Sequence, residues 1–508
     1  MAATPASGPL VAGSFLYWKG PDPVQESVLF VYGGCPASGS IPNQTAMKRL
    51  QKRREAISPS TSATAGGINP QRQPHAAGID IGARELVAAV PPQSTTGPSV
   101  RTFTSFTADV EALRDWLLAC GIKTVAMEST GNYWITAYDL LEAAGIEVYL
   151  VNARHVKGVP GRKTDVQDAA WLQQLHAAGL LRKSFRPAQE IVSLRYLMRY
   201  RQGLVAAAAQ QVQAMQKVLT EMNLKIQHVF SDLDGVSGQA IITAILAGER
   251  DPAKLAALRD RRCRSPLATI QQALVGSYRE EYLFVLRQSQ STWQRLQGDL
   301  AASDVQLALL TQQVESEDPG PLPDPGTGTQ HKPGKNSPQI DIFAQAWRYY
   351  GVDLSAVPGV SSGLLSVLMS ELGTGAQILA SFRSGAAFAS WLGLCPDNRI
   401  SGGRILKAKT RQVANRVANA LRMGVFGLHR SQNKMGEYTR RMKGRLGKAE
   451  GITAGAHKLG RIIYALIAPR HAYDESEAFK ITPRSRDRQH AQLLKQAEAL
   501  GFQLVPAA

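Results

Sequence analysis

Between residues 76 and 181 the apolar positions change period from element to element. "AAGIDIGARELVAAV" is almost continuously apolar on either side of a Gly-Ala-Arg break, which predicts a strand, a tight glycine turn and a second strand. "SVRTFTSF" alternates and predicts a third strand. "ADVEALRDWLLACG" is an amphipathic helix closed by Gly121, and "KTVAMEST" a buried strand. "NYWITAYDLLEAAG", "EVYLVNA" and "DVQDAAWLQQLHAAGLL" then predict helix, strand and helix.

The order is therefore β-β-β-α-β-α-β-α. A three-strand meander followed by α/β alternation is the order of a ribonuclease-H-like (RuvC-like) α/β domain, here 75–190; a purely doubly wound sheet does not open with a meander. Across 191–315 the apolar residues of "RYLMRYRQGLVAAAAQQVQAMQKVLTEMNL" and "EEYLFVLRQSQSTWQRLQGDLAASDVQLALLTQQV" recur near 3.5–3.6 spacing. They predict a coiled-coil arm, either an antiparallel pair or a dimer contact. The Pro/Gly-dense stretch 316–344 reads as a linker. A mostly helical C-terminal domain spans 345–470, and 471–508 is a polar tail.

Charge narrows the partners. Lys and Arg number 58 against 40 acids, a net +18, and the pI is about 9.8. Such an excess favours polyanions. No stretch reaches the roughly 18 apolar residues of a membrane helix, and no basic start with an apolar core announces a secretory signal. A cytoplasmic, nucleoid-associated protein is expected. Cys35, Cys120, Cys263 and Cys395 form no CxxC, so no zinc site or disulfide frame is expected. Residues 1–74, rich in Ala, Ser, Gly and Pro, are expected to be disordered, and Met47 is a candidate natural start.

Four carboxylates carry candidate chemistry. Asp80 interrupts the apolar strand "GIDIG", and Glu128 ends the apolar strand "TVAMES". Asp165 and Asp168, at i and i+3, share one face of the next helix. An acid inside an apolar strand costs several kcal/mol unless compensated, and phosphodiester chemistry at a two-metal site needs several converging carboxylates. Each acid alone has a plainer reading: Asp80 as a turn residue before Gly82, Glu128 as a cap near Asn132, the aspartates as first-turn complements to the helix dipole. Four such accidents in strand and helix order are less economical than one Mg²⁺ (or Mn²⁺) site. An actin-like or sugar-kinase phosphate loop also opens with an Asp-Gly strand turn, but the second phosphate loop it requires does not follow.

The second rich stretch is "CPDNRISGGRILKAKTRQVANRVANALR". From Arg383 to Lys448 there are 15 Lys or Arg against two acids, Asp397 and Glu437. Ser401 sits beside Gly402 and Gly403, which permit close backbone approach, and between Arg399 and Arg404. Lys407, Lys409, Arg411 and Arg416 follow, and such a cluster neutralises phosphates. A serine hydroxyl here can attack a phosphodiester, or simply hydrogen-bond a turn or a phosphate. "VPGVSSGLL" resembles a helix-hairpin-helix turn that meets phosphate through backbone N–H groups.

Taken together, "GIDIG", "AMESTGNYW", "GRKTDVQDAAWLQQL", "VPGV" and "PDNRISGGR" resemble the DEDD transposases of insertion sequence family one-hundred-ten, the bridge-RNA-guided recombinases. The resemblance covers about 76–225 and 345–468. It implies Asp80, Glu128, Asp165 and Asp168 as metal ligands and Ser401 as the nucleophile that joins DNA covalently. It also implies a structured bridge RNA pairing with donor and target DNA, and a homo-oligomer, dimer or tetramer, in which one subunit's serine completes another's carboxylate site. Arg162 and Lys163 then read as phosphate neighbours, as do Arg399, Arg404, Lys407 and Lys409. The alternatives are a RuvC-like nuclease that activates water and a non-catalytic nucleic-acid-binding protein. The N-terminal 74 residues and the longer arm depart from the family pattern.

Overall fold

The computed structural model describes residues 72–129, 131–152, 165–316, 320–322, 333–411, 413–480 and 483–503. The N-terminal segment and Arg162 and Lys163 lie outside the described residues.

Strands β1 (Ala76–Ile81), β2 (Glu85–Ala89), β3 (Val100–Thr104), β4 (Thr124–Glu128) and β5 (Glu147–Val151) alternate with helices α1 (Thr107–Ala119), α2 (Trp134–Ala143) and α3 (Asp165–Ala177). This is the order the apolar pattern predicts. The sheet order is β3-β2-β1-β4-β5, antiparallel across β3-β2-β1 and parallel across β1-β4-β5. The mixed sense follows from connection length: short turns return the chain antiparallel, while α1 and α2 carry it back to the start of a parallel strand. Side chains alternate along β1, so the sheet has two different faces. Ala77, Ile79 and Ile81 pack with Leu113, Leu117, Tyr138 and Leu141 under α1 and α2. The opposite face is covered by α3.

His176 shows how tightly α3 sits. It is 1% exposed, with Nε2 2.8 Å from the Thr124 hydroxyl and its ring against Tyr149. The Thr124 hydroxyl donates to the Glu147 carbonyl at 3.0 Å, so the imidazole N–H is the donor to Thr124. Burial pushes the imidazole down to about 4. The unfolded chain therefore binds a proton near pH 6.5 that the folded chain refuses until about 4. Stability contributed at this position is intact above pH 6.5, declines as pH falls from 6.5 to about 4, and then levels off. The melting temperature is expected to drop between pH 7.5 and 5, and His176→Gln is expected to shrink that drop in a pair of calorimetric scans.

The arm is an antiparallel pair of long helices, α4 (Gln189–Glu221) and α9 (Glu280–Gln313). Its tip carries α5 (Ile226–Val229), α6 (Val236–Leu246), α7 (Pro252–Ala257) and α8 (Leu267–Ala273). Met215, Val218 and Leu219 near the end of α4 meet Leu283 and Leu286 at the start of α9 in the tip core. Ile191, Leu194 and Met198 at the start of α4 join Leu307 and Val314 in a different core. That second core belongs to the C-terminal helices α10 (Ile342–Tyr350), α11 (Ser362–Leu372), α12 (Gly375–Ser381), α13 (Gly385–Trp391), α14 (Arg416–Gly427), α15 (Lys434–Leu446) and α16 (Lys448–Ile467). The peripheral helices α17 (Glu475–Ala478) and α18 (Pro483–Ala499) follow.

A buried ion pair fixes this root. Arg201 and Asp304 are 7% and 5% exposed in their side chains. Arg201 also donates to the Asn336 and Ser337 carbonyls at 2.8 and 3.1 Å, and Asp304 accepts from the Gln339 backbone N–H at 3.1 Å. Among the described residues no single helix is long and apolar enough to cross a bilayer.

Candidate active site and nucleic-acid interface

One close approach positions the carboxylates. A Cβ at Gly78 would stand 2.3 Å from the Gln173 backbone nitrogen and 2.5 Å from the Ala169 carbonyl oxygen. Only glycine lets the α3 backbone lie directly on β1. The helix runs antiparallel to the strand, because Gln73 N–H donates to Ala177 O at 3.0 Å and Gln173 Nε2 donates to Ala76 O at 3.2 Å. From Ala169 back to Asp165 is about 6 Å of helix axis, and from Gly78 on to Asp80 is about 7 Å of strand. The first turn of α3 therefore stands level with Asp80.

Asp80 and Gly78 share the α3 face of β1. Parallel pairing sets Ile79 beside Met127, so the next step along both strands brings Asp80 beside Glu128. Both acids are half-buried. The structure bears on the plainer reading of Asp80. Asp80 lies inside β1, paired with Val87, and the following turn is closed by Gly82 N–H to Glu85 O at 2.9 Å. It is not a turn residue. Glu128 ends β4 beside Val151 of β5, and the N-cap of the next helix is Tyr133, without a side-chain cap bond. Asp168 is half-buried in the first turn of α3. Asp165 is its first residue, and the Asp165 side chain lies outside the described residues.

Among the described residues no three His, Cys, Asp or Glu side chains close to metal-holding distance. The donor chemistry nonetheless fits a hard divalent cation. Asp80, Glu128 and Asp168 offer carboxylate oxygens and no thiolate or imidazole, the donor type that suits magnesium and manganese.

Ser401 occupies a different setting. Strands β6 (Arg399–Ser401) and β7 (Arg404–Lys407) form a two-residue hairpin, anchored at its base by Pro396 opposite Thr410 and by Asp397 N–H to Lys409 O at 2.9 Å. Gly402 and Gly403 have φ of 54° and 78°, the turn in which both central residues need positive φ. Their first role is thus the turn itself, and both are exposed to an approaching ligand. Ser401 ends β6 directly opposite Arg404, so hydroxyl and guanidinium share one face of the hairpin, with Ile400 and Ile405 on the other. Ser401 and Arg404 are exposed, and the Ser401 hydroxyl has no hydrogen-bond partner among the described residues. Arg399 pairs with Lys407 in the register, and both of those side chains lie outside the described residues. Lys409 is exposed. Arg411 donates to the Ser390 carbonyl, which holds the hairpin to α13.

The structure thus gathers Asp80, Glu128 and the start of α3, and presents Ser401 on a separate hairpin. It also shows a cluster that sequence reasoning missed. Glu371 of α11, 9% exposed in its side chain, receives Arg199 in bidentate fashion at 2.8 and 2.8 Å. Arg195 stands 3.2 Å and Arg416 4.0 Å from the same carboxylate. Burial draws the Arg195 guanidinium down to about 10, leaving it charged at neutral pH. The visible signal was the repeated Arg-Tyr in "RYLMRY", spaced four residues apart.

Residues 77–224 match the family model of the IS110 DEDD transposase domain, described as a transposase. Residues 353–440 match that of the transposase IS116/IS110/IS902 family. A comparison with curated proteins finds no match. The first matched segment contains the sheet, α3 and α4; the second contains α11 to α14 and the serine hairpin. A DEDD domain of this kind points to divalent-metal dependence.

Proposed function

The chain belongs to the IS110 family of transposases, and from that premise we propose that it recombines DNA through a covalent link to Ser401, guided by a structured bridge RNA. As a transposase it acts on DNA. The convergence of Asp80 and Glu128 on adjacent strand ends, level with the start of α3, carries the reading. A sheet of this order with acids at these positions supports a ribonuclease-H-like (RuvC-like) assignment for 75–190. The near-heptad recurrence of Ile191, Leu194, Met198 and Arg201 on α4 supports a coiled-coil arm over 191–315, with the serine domain at 345–470.

Asp80, Glu128, Asp165 and Asp168 would hold Mg²⁺ or Mn²⁺, which supplies charge stabilisation at the scissile phosphate. The remaining work falls to the chain's own groups. Half-burial of Asp80 and Glu128 limits water around the site. Ser401 forms the Oγ–P bond as the P–O bond to the leaving strand breaks, and the serine proton balances the departing alkoxide. Arg404, opposite the serine, faces the charge that develops on the phosphate, while Arg399, Lys407, Lys409, Arg162 and Lys163 bind flanking phosphates. The ester keeps the bond energy for rejoining. Because Ser401 and the carboxylates stand in separate domains, the reading includes a homo-oligomer, a dimer or tetramer, in which one subunit's Ser401 serves another's carboxylates. Donor and target DNA are the substrates, in a nucleoid-associated cytoplasmic setting.

The test is to incubate protein, candidate guide RNA and labelled DNA with Mg²⁺, denature, and look for DNA that migrates with protein. An adduct from wild type and none from Ser401→Ala is expected. Cleavage that persists in Ser401→Ala would mean water is the nucleophile, and no wild-type adduct would sink the serine chemistry.

A further inference from the structure

The three arginines around Glu371 exceed what one carboxylate neutralises. Arg195 is largely covered, but Arg199 and Arg416 keep 45% and 48% of their side-chain surface exposed. Arg416 also donates to the Gln202 side chain. The excess positive charge is therefore presented along the α4 residues 199–202, at the junction of the arm with α14.

On the same flank of α4, Tyr196 is 78% and Tyr200 52% exposed. Tyr196 lies one turn before both Arg199 and Tyr200. Among the described residues neither tyrosine ring stacks on another aromatic or lies beneath a cation. Gly203, one turn beyond Arg199 and Tyr200, is exposed and has nothing within 4 Å of where a Cβ would stand. A glycine inside a helix is destabilising against alanine, and no neighbour among the described residues requires this one. The result is a smooth helix face bearing two open rings beside two half-open guanidiniums.

We propose that Tyr196, Arg199, Tyr200 and Gly203, with Gln202 and Arg416, form a binding surface for an unpaired nucleic-acid strand, its phosphates on the guanidiniums and its bases on the tyrosine rings. Excess positive charge selects a polyanion. Flat rings select bases whose faces are open, which a duplex keeps stacked on one another. Arg416 begins α14, the helix that follows the Ser401 hairpin, so a strand held here runs beside the exit of that hairpin. Strand exchange by a transposase requires such a strand. The surface rests on the chain handling nucleic acid and is independent of which group attacks the phosphate.

The test uses the full chain without divalent metal, so that binding is read apart from cleavage. Fluorescence anisotropy follows one labelled sequence as single-stranded DNA, single-stranded RNA and duplex DNA. The double variant Tyr196→Ser, Tyr200→Ser is expected to lose about tenfold or more in single-strand affinity, with duplex affinity nearly unchanged and a melting curve like wild type. Tyr196→Phe with Tyr200→Phe, which keeps both rings, is expected to retain binding. Arg416→Gln is expected to lower the slope of log affinity against log salt by about 0.7 on single strands. Whichever single strand loses affinity, RNA or DNA, identifies the occupant. Unchanged single-strand affinity in the serine pair, or an equal loss on duplex, overturns the proposal. A chain that binds normally and forms no adduct defeats the Ser401 reading alone.

Discussion

Asp80→Asn is expected to reduce DNA cleavage by about a thousandfold or more while leaving the protein folded and able to bind DNA. The change keeps the shape of the side chain and removes its charge. In the sheet Asp80 is paired with Val87 and stands one step past the Ile79–Met127 pair, so a neutral amide there leaves backbone pairing intact. What it removes is one anionic oxygen donor from the set proposed with Glu128, Asp165 and Asp168. A loss of about 4 kcal/mol of transition-state stabilisation corresponds to a factor near 10³, within what metal charge stabilisation contributes. Single-turnover cleavage of labelled DNA at saturating protein gives the rate, and binding without metal gives the control. A rate within tenfold of wild type would remove Asp80 from the ligand set. Because Ser401→Ala and Asp80→Asn strike separate domains, mixing the two inactive proteins offers a second readout. Adduct formation that returns in the mixture identifies a site shared between subunits.

The largest expected loss of stability comes from Asp304→Ala. It strands Arg201, 7% exposed in its side chain, without its carboxylate partner. Breaking a buried pair by removing one member costs about 3–5 kcal/mol, mostly as the uncompensated charge. The effect should be local in cause and wide in consequence. Arg201 also holds the Asn336 and Ser337 carbonyls, and Asp304 receives Gln339, so α4, α9 and the segment before α10 loosen together. Replacing both partners, Arg201→Met with Asp304→Leu, is expected to recover most of the loss, since an apolar pair of similar volume has no stranded charge. Urea titration of wild type and the two variants measures this; equal midpoints for single and double variants would refute it.

Much of the first domain was legible because its chemistry is local. Each strand and helix from β1 to α3 carries its own apolar period, and Asp80 and Glu128 stand out by breaking it. The order of elements then places both acids at one end of the sheet. The role of Gly78 was not legible, since a glycine inside a strand looks the same whether or not a helix backbone lies against it. The hairpin around Ser401 was half legible: Gly-Gly between Ser401 and Arg404 marks a turn, but "PDNRISGGRILKAKT" is too short and too basic to announce two strands. Of the Glu371 cluster only the repeated Arg-Tyr of α4 was visible, because its members come from α4, α11 and α14 and meet only through packing. For the same reason the pairing of Arg201 with Asp304, 103 residues apart, had no mark in the sequence.

The arm has a topological consequence. Its outgoing helix starts and its returning helix ends in a single core, that of Leu364, Leu368 and Val417, while its tip has a core of its own, built around Ile241 and Ile270. The arm is a closed excursion: the chain comes back to where it left. Helical turns can therefore be added to or removed from both limbs in register, and the whole tip exchanged, without changing the distance between the strand ends that bear Asp80 and Glu128 and the hairpin that bears Ser401. Reach is decoupled from the rest of the fold, so evolution is free to lengthen or shorten the arm while the strand ends and the serine hairpin stay where they are.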